Sequence, residues 1–217
     1  FGTTTVFTAM PMGDVLLALS IVAMIVASVA AFFQSDLKRL LAYSSVAQIG
    51  YITLGVSFAS ATGLTGGIVH LFNHGVTKGA LFMLAGTIVF RLGSTRLDRM
   101  AGLARSMPIT CAGIVVGGLG LIGVPGTAGF VSKWYLVLAA IERGAWGIAF
   151  VVVASSMIAV AYVWRFVEVA YFRAPSDETS RLEEGPAALL VPAGILLAAS
   201  VYFGLVPSLT LGAASGA

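Results

Sequence analysis

The stretch Leu64–Phe90, LTGGIVHLFNHGVTKGALFMLAGTIVF, constrains this chain more than any other. It is almost wholly apolar and about 27 residues long, so at ~1.5 Å per residue a helix of it crosses the ~30 Å hydrocarbon core of a bilayer with length to spare. Near its middle sits Lys78, with His74 one turn earlier and His70 one turn before that. Spacings of four place all three on one slowly drifting stripe of a helix. An ammonium at mid-bilayer costs at least ~2.5–3.5 kcal/mol on insertion scales, so it must face protein or water and not lipid. Two imidazoles and an amine in file are groups that each take up and release a proton. The plainer role, a histidine that only joins helices by hydrogen bonds, stays open for His70.

Composition sets the class. Hydrophobic residues make up 59% of the 217 and charged residues only 10%, against about 25% charged in a soluble domain. The mean hydropathy is +1.00. Too little charge is present to clothe a soluble surface, and the chain reads as an all-α, polytopic membrane bundle forming a single transmembrane domain, residues 1–217. The net charge of +3 is no nucleic-acid signature, because the basic residues fall in loops on one side. The single Cys111 excludes an intramolecular disulfide and a cysteine cluster site, and no metal site is expected. The chain opens at Phe1 with no secretory leader pattern and is expected to be the later part of a longer subunit.

Six spans are predicted. The first runs from Pro11 to Phe33, with Asp14 at its edge. A polar hinge, Gln34 to Arg39, comes next, and Asp36 is placed to cap the second span, which ends near Phe58. Tyr43, Ser44, Ser45, Gln48, Tyr51 and Thr53 make its interior less apolar. Such groups either glue helices together or hold water on a proton path. The third span carries the stripe already described. The fourth is crowded by Gly117, Gly118, Gly120, Gly123, Pro125, Gly126 and Gly129, which predicts a broken helix. Its halves run from about Ile109 to Ile122 and Gly129 to Ile141, around a link near Gly123–Ala128. A Gly/Pro-interrupted span is the best sequence pointer to an ion site in transporters, and Lys133 lies just past the break. The alternative is a kinked helix with Lys133 snorkelling to an interface. The fifth span, Trp146 to Phe172, holds Arg165 and Glu168 three apart, a spacing at which they pair. The sixth runs from Ala187 to Val206, and the tail to Ala217 is small and polar.

The loops after spans one, three and five carry Lys38, Arg39, Arg91, Arg96, Arg99, Arg105, Arg173 and Arg181, while the other side carries only Arg143. The positive-inside rule makes those loops cytoplasmic and puts both termini of this piece outside.

Three strings, DLKRLLAYSSVAQIGY, HLFNHGVTKGALF and GVPGTAGFVSKWYL, resemble the antiporter-like subunits shared by respiratory complex I and Mrp-type multisubunit cation/proton antiporters. The likeness covers roughly Pro11 to Phe172, with the motifs in the family's order, and GFVSKWYLVLAAIERG and AYVWRFVEVAYFRAP look most like the D-type member of the Mrp antiporters. The resemblance implies two five-helix repeats of inverted topology, of which this chain is the second repeat plus the last helix. It implies that Lys78 is the central-axis lysine that relays protons, that His70 and His74 precede it on the path, and that Lys133 on the broken helix stands at the exit. Gln48 lies where some members carry a histidine. A glutamine does not titrate, so there it orients water at most.

The function implied by the resemblance is that of a proton-translocating subunit of a bacterial inner-membrane Na+/H+ antiporter, with other membrane subunits as partners and no cofactor. The nearest rival is the same module in NADH:quinone oxidoreductase or a membrane-bound hydrogenase. A third reading is a non-conducting scaffold, against which His70, His74, Lys78 and Lys133 all count. No Rossmann fingerprint, flavin motif or cluster-binding cysteine set is present, so an oxidoreductase label belongs to an assembly and not to this chain.

Overall fold

The computed structural model describes residues 11–215, so the first ten positions of the expected domain, and Gly216 and Ala217 of the expected tail, lie outside the described residues. Within residues 11–215 eight helices succeed one another: α1 Met12–Phe32, α2 Leu37–Ser57, α3 Ala61–Leu92, α4 Pro108–Ile122, α5 Ala128–Glu142, α6 Trp146–Val167, α7 Ala187–Leu205 and α8 Ser208–Ser215. A π-helical turn, Glu168–Phe172, prolongs α6. Among the described residues, α1, α2, α3, α7 and the continuous segment Trp146–Phe172 are long and apolar enough to cross a membrane. The fourth expected span is the pair α4 and α5, each of 15 residues. Within the small, polar tail, Ser208–Ser215 form α8.

Local chemistry explains the helix ends. Asp36 caps α2 by accepting from the Arg39 N–H at 3.0 Å, and Ser60 caps α3 by accepting from the Gly63 N–H at 3.1 Å. Gly93, at φ 68°, closes α3 in the left-handed region, and Pro108 opens α4 where its missing N–H costs nothing.

The loops after α1, α3 and α6 meet at one end of the bundle. Leu37 N donates to Thr95 O at 2.7 Å, and Leu97 N to Ser35 O at 2.9 Å. The Thr95 hydroxyl donates to Asp36 at 2.6 Å. Burial alone pushes the Asp36 carboxyl up, but this hydroxyl and the backbone N–H groups of Arg39 and Lys38 outweigh it and hold the pKa below its ordinary value. Arg99 pairs with Glu178, and Glu184 accepts from the Thr110 hydroxyl at 2.7 Å at the start of α4. The basic residues of these three loops are thus gathered at one end, while Arg143 lies at the other, against Ser57 O at the end of α2.

Arg165 and Glu168 do not pair. The Arg165 guanidinium donates to Phe32 O and, at 2.8 Å, to Gln34 O, at the end of α1. Glu168 accepts instead from Arg173 at 2.8 Å. The reason is twofold: the last carbonyls of α1 have no helical partner, and the π turn from Glu168 departs from the α-helical register that the three-residue spacing assumed.

Helix α3 is central and packs on α2, α4, α5 and α7. Two apolar cores form around it. One, near the basic loops, holds Leu37, Leu41, Leu84, Ile88, Met107 and Phe166. The other holds Met24, Leu54, Phe58, Leu136 and Val152. Along α2 the polar residues Ser44 and Gln48 fall between these clusters. The outward faces carry Leu19, Val22 and Val26 on α1, Phe150 and Met157 on α6 and Ile195 on α7, all exposed. Apolar surface turned outward around a polar interior is the arrangement a bilayer selects.

Candidate functional site

Lys78, His70 and Lys133 can each be followed to their partners. Lys78 is only 5% exposed and so faces protein. Its ammonium donates to Leu41 O at 2.7 Å and to the Ser44 hydroxyl, both on α2. His70, about two turns earlier on α3, is 2% exposed. Its Nε2 meets Gln48 Oε1 at 2.9 Å, and its Nδ1 meets Ser132 Oγ of α5 at 2.8 Å. Ser132 in turn donates to Gly129 O at 3.1 Å.

These partners bear on protonation. With the serine proton on Gly129 O, Ser132 receives the Nδ1 proton. A carbonyl oxygen on Nε2 then asks for a second ring proton, so this arrangement suits an imidazolium. A neutral ring is served equally well once the Gln48 amide turns its NH2 toward Nε2. Gln48 can therefore follow the charge on His70 without titrating itself.

The broken helix positions the second lysine. α4 ends at Gly123, φ +85°, and the link turns again at Gly126, φ +91°, with Pro125 between them. Both angles lie where only glycine is unstrained. The start of α5 is held by Asn73 of α3, which donates to Ala128 O at 2.8 Å. Gly129 packs directly against the carbonyl of Gly120, leaving no space for a Cβ.

Lys133, 6% exposed, reaches back to α4. It donates to Leu121 O at 2.8 Å, Ile122 O at 3.0 Å and Ser156 Oγ of α6 at 2.9 Å. All three ammonium protons are used, and they sit at the negative end of the half-helix, where the carbonyls lack helical donors. Lys133 does not snorkel. A cavity of about 410 Å³ lies beside it, lined in part by Gly123, Pro125, Phe130 and Trp134.

Tyr51 lies between the two systems. Its ring centroid is 4.5 Å from the Lys133 ammonium and 5.2 Å from the His70 ring. Its hydroxyl bonds Ser155 of α6.

The expected residues thus divide. Lys78, His70, Gln48, Ser44 and Lys133 come together in the interior, on helices that pack side by side. His74 is only half-buried, and its Nδ1 has no partner. Ser45 also stands at the margin, its hydroxyl spent on Leu41 O at 3.0 Å. Gly123, Pro125, Gly126 and Gly129 lie at the break and its flank. In the sequence Tyr51 is only one of the polar residues of the second span, and Asn73, Ser132, Ser155 and Ser156 have no role. A usable signal existed for some: Ser44, Gln48 and Tyr51 recur at helical spacing, and Ser132 adjoins Lys133.

The family described as NADH:quinone oxidoreductase/Mrp antiporter, TM, matches residues 3–159. Over 190 residues the chain is 40% identical to NADH-quinone oxidoreductase subunit N of Desulforudis audaxviator (strain MP104C), covering 82% of this chain and 38% of that protein. A chain in the structure of the Mrp complex from Dietzia sp. DQ12-45-1b superposes with a TM-score of 0.86 at 25% identity, over 94% of this chain and 46% of that one. A chain of the membrane-bound sulfane sulfur reductase, an archaeal respiratory membrane complex, does so with a TM-score of 0.84 at 34% identity, over 89% and 32%. The chain spans less than half the length of each of these three. With its antiporter-like helical fold and a match across most of its length, the chain belongs to the NADH:quinone oxidoreductase/Mrp antiporter transmembrane family.

Proposed function

We propose that this chain is a proton-translocating module, the second inverted repeat and last helix of a longer antiporter-like subunit. Protons pass along Lys78, Ser44, His70 and Lys133, with water between them oriented in part by Gln48, and His74 serves the same path from its margin. The observation that carries this reading is the buried row itself: two ammonium groups and an imidazole held in the interior on carbonyls, hydroxyls and an amide, with no carboxylate among their partners in the described residues. A scaffold gains nothing from that arrangement, because an apolar core is more stable than buried charge.

The partners are other membrane subunits. The motifs shared with the D-type member of the Mrp antiporters favour exchange of protons for sodium. The 40% identity to a subunit N supports the second reading, in which quinone chemistry elsewhere drives the same path. Co-purification with small antiporter subunits or with redox subunits decides between the two. The test of the path is His70→Gln in the whole assembly, reconstituted in vesicles loaded with a pH-sensitive dye. This side chain keeps hydrogen-bonding capacity but accepts no proton, and proton flux falls about tenfold or more. Flux equal to wild type sinks the path through His70.

We place the chain in the bacterial cell membrane with the basic loops in the cytoplasm. Within this chain the native Cys111 is buried, so a cysteine at position 96 is compared against the same cells without the substitution. Arg96→Cys is expected to resist a membrane-impermeant maleimide in intact cells and to react in inverted vesicles. Labelling from outside reverses the topology.

A further inference from the structure

Tyr162 of α6 is wholly buried. Its ring packs among Leu37, Leu40, Leu41, Leu81 and Ile114. Its hydroxyl faces Ser44 and Gln48, yet closes no hydrogen bond of ordinary geometry to either. Packing accounts for the ring and not for the oxygen. A phenylalanine fills the same space without the desolvation cost of an unpaired buried hydroxyl. Ser44 holds Lys78, and Gln48 holds His70. These two residues stand one turn apart on α2, ~5–6 Å between Cβ atoms, and the amide of Gln48 does not carry a proton. The row therefore has a gap at the point where the Tyr162 oxygen points.

We infer that the Tyr162 hydroxyl is the relay that joins the Lys78–Ser44 pair to the Gln48–His70 pair. The inference rests on the proton path proposed above. A phenol accepts on a lone pair while giving up its own proton, so it passes a proton without becoming charged. Lys78 gives a proton to the Ser44 oxygen, the serine hydroxyl turns away from Leu41 O, to which it donates at 2.9 Å, and its proton moves to the Tyr162 oxygen. The phenolic proton leaves toward His70 Nε2 through one water oriented by the Gln48 carbonyl. Each hop forms one bond to hydrogen and breaks one. The net change is a neutral amine at Lys78 and an imidazolium at His70.

The test is Tyr162→Phe in the complete reconstituted assembly, beside wild type and Lys78→Ala. Flux is read with an entrapped pH dye in H2O and in D2O, and thermal unfolding is followed in parallel. The relay predicts a fall in flux of at least tenfold, an unfolding temperature no lower than wild type, and a larger solvent isotope effect as the hop across the gap becomes limiting. Wild-type flux overturns the relay, and so does reduced flux with the wild-type isotope effect, which marks a packing role. If Lys78→Ala conducts normally, the proton path as a whole fails. If Lys78→Ala is silent while Tyr162→Phe conducts as wild type, the relay alone fails.

Discussion

Lys78→Arg is expected to assemble with its partner subunits and to translocate no protons, a loss of about a hundredfold or more against wild type. The charge is retained, so a role as a fixed counter-charge or helix tether survives the change. What is lost is the proton, because a guanidinium does not release one within a protein. The site makes this a fair comparison. The ammonium is held by a carbonyl, Leu41 O, and a hydroxyl, Ser44 Oγ, neither of them an anion that would lock it in the charged state. Lys78→Ala removes charge and proton together and is expected to be equally silent. Both are measured by dye-monitored flux in vesicles, with assembly checked by size-exclusion chromatography. Normal flux in Lys78→Arg would show that position 78 supplies only a positive charge.

The helices were legible because their signals are local. Asp36, Pro108 and Gly123 are recognisable without knowledge of any neighbour, and the predicted boundaries of most spans lie within a few residues of the observed ones. The third span came out short because Ala59–Gly63 reads as a brief uncharged turn, whereas Ser60 caps a helix that starts at Ala61. The break was legible for the same reason, since Gly123 and Pro125 act on their own backbone. The site was legible only where a side chain is costly in hydrocarbon, as Lys78, Lys133 and His70 are. Ser132, Ser156 and Tyr51 cost little in a membrane helix, and they join the candidate site only through what faces them across an interface. Arg165 shows the limit from the other side. Its neighbour in sequence was Glu168, but the carbonyls at the end of α1, over a hundred residues earlier, took it.

Lys133 should separate two roles that coincide at Lys78. Its ammonium is the donor set that closes α4, bonded to Leu121 O and Ile122 O, and it is also tied to Ser156 of α6. Lys133→Met leaves those carbonyls without their charged partner. It is expected to abolish flux and also to lower stability by about 2 kcal/mol, the scale of a cation at a partly buried helix C-terminus. Lys133→Arg keeps a cation at the half-helix end, and the cavity of about 410 Å³ beside it gives the longer side chain room. It is therefore expected to melt close to wild type in detergent while carrying no protons, because the cap is kept and the exchangeable proton is not. The opposite pattern, normal flux in Lys133→Arg with normal melting, would leave Lys133 as a structural cap of the broken helix. The exit from the row would then have to be sought elsewhere, and half-buried His74, with an unpaired ring nitrogen one turn before Lys78, would be the first residue to replace.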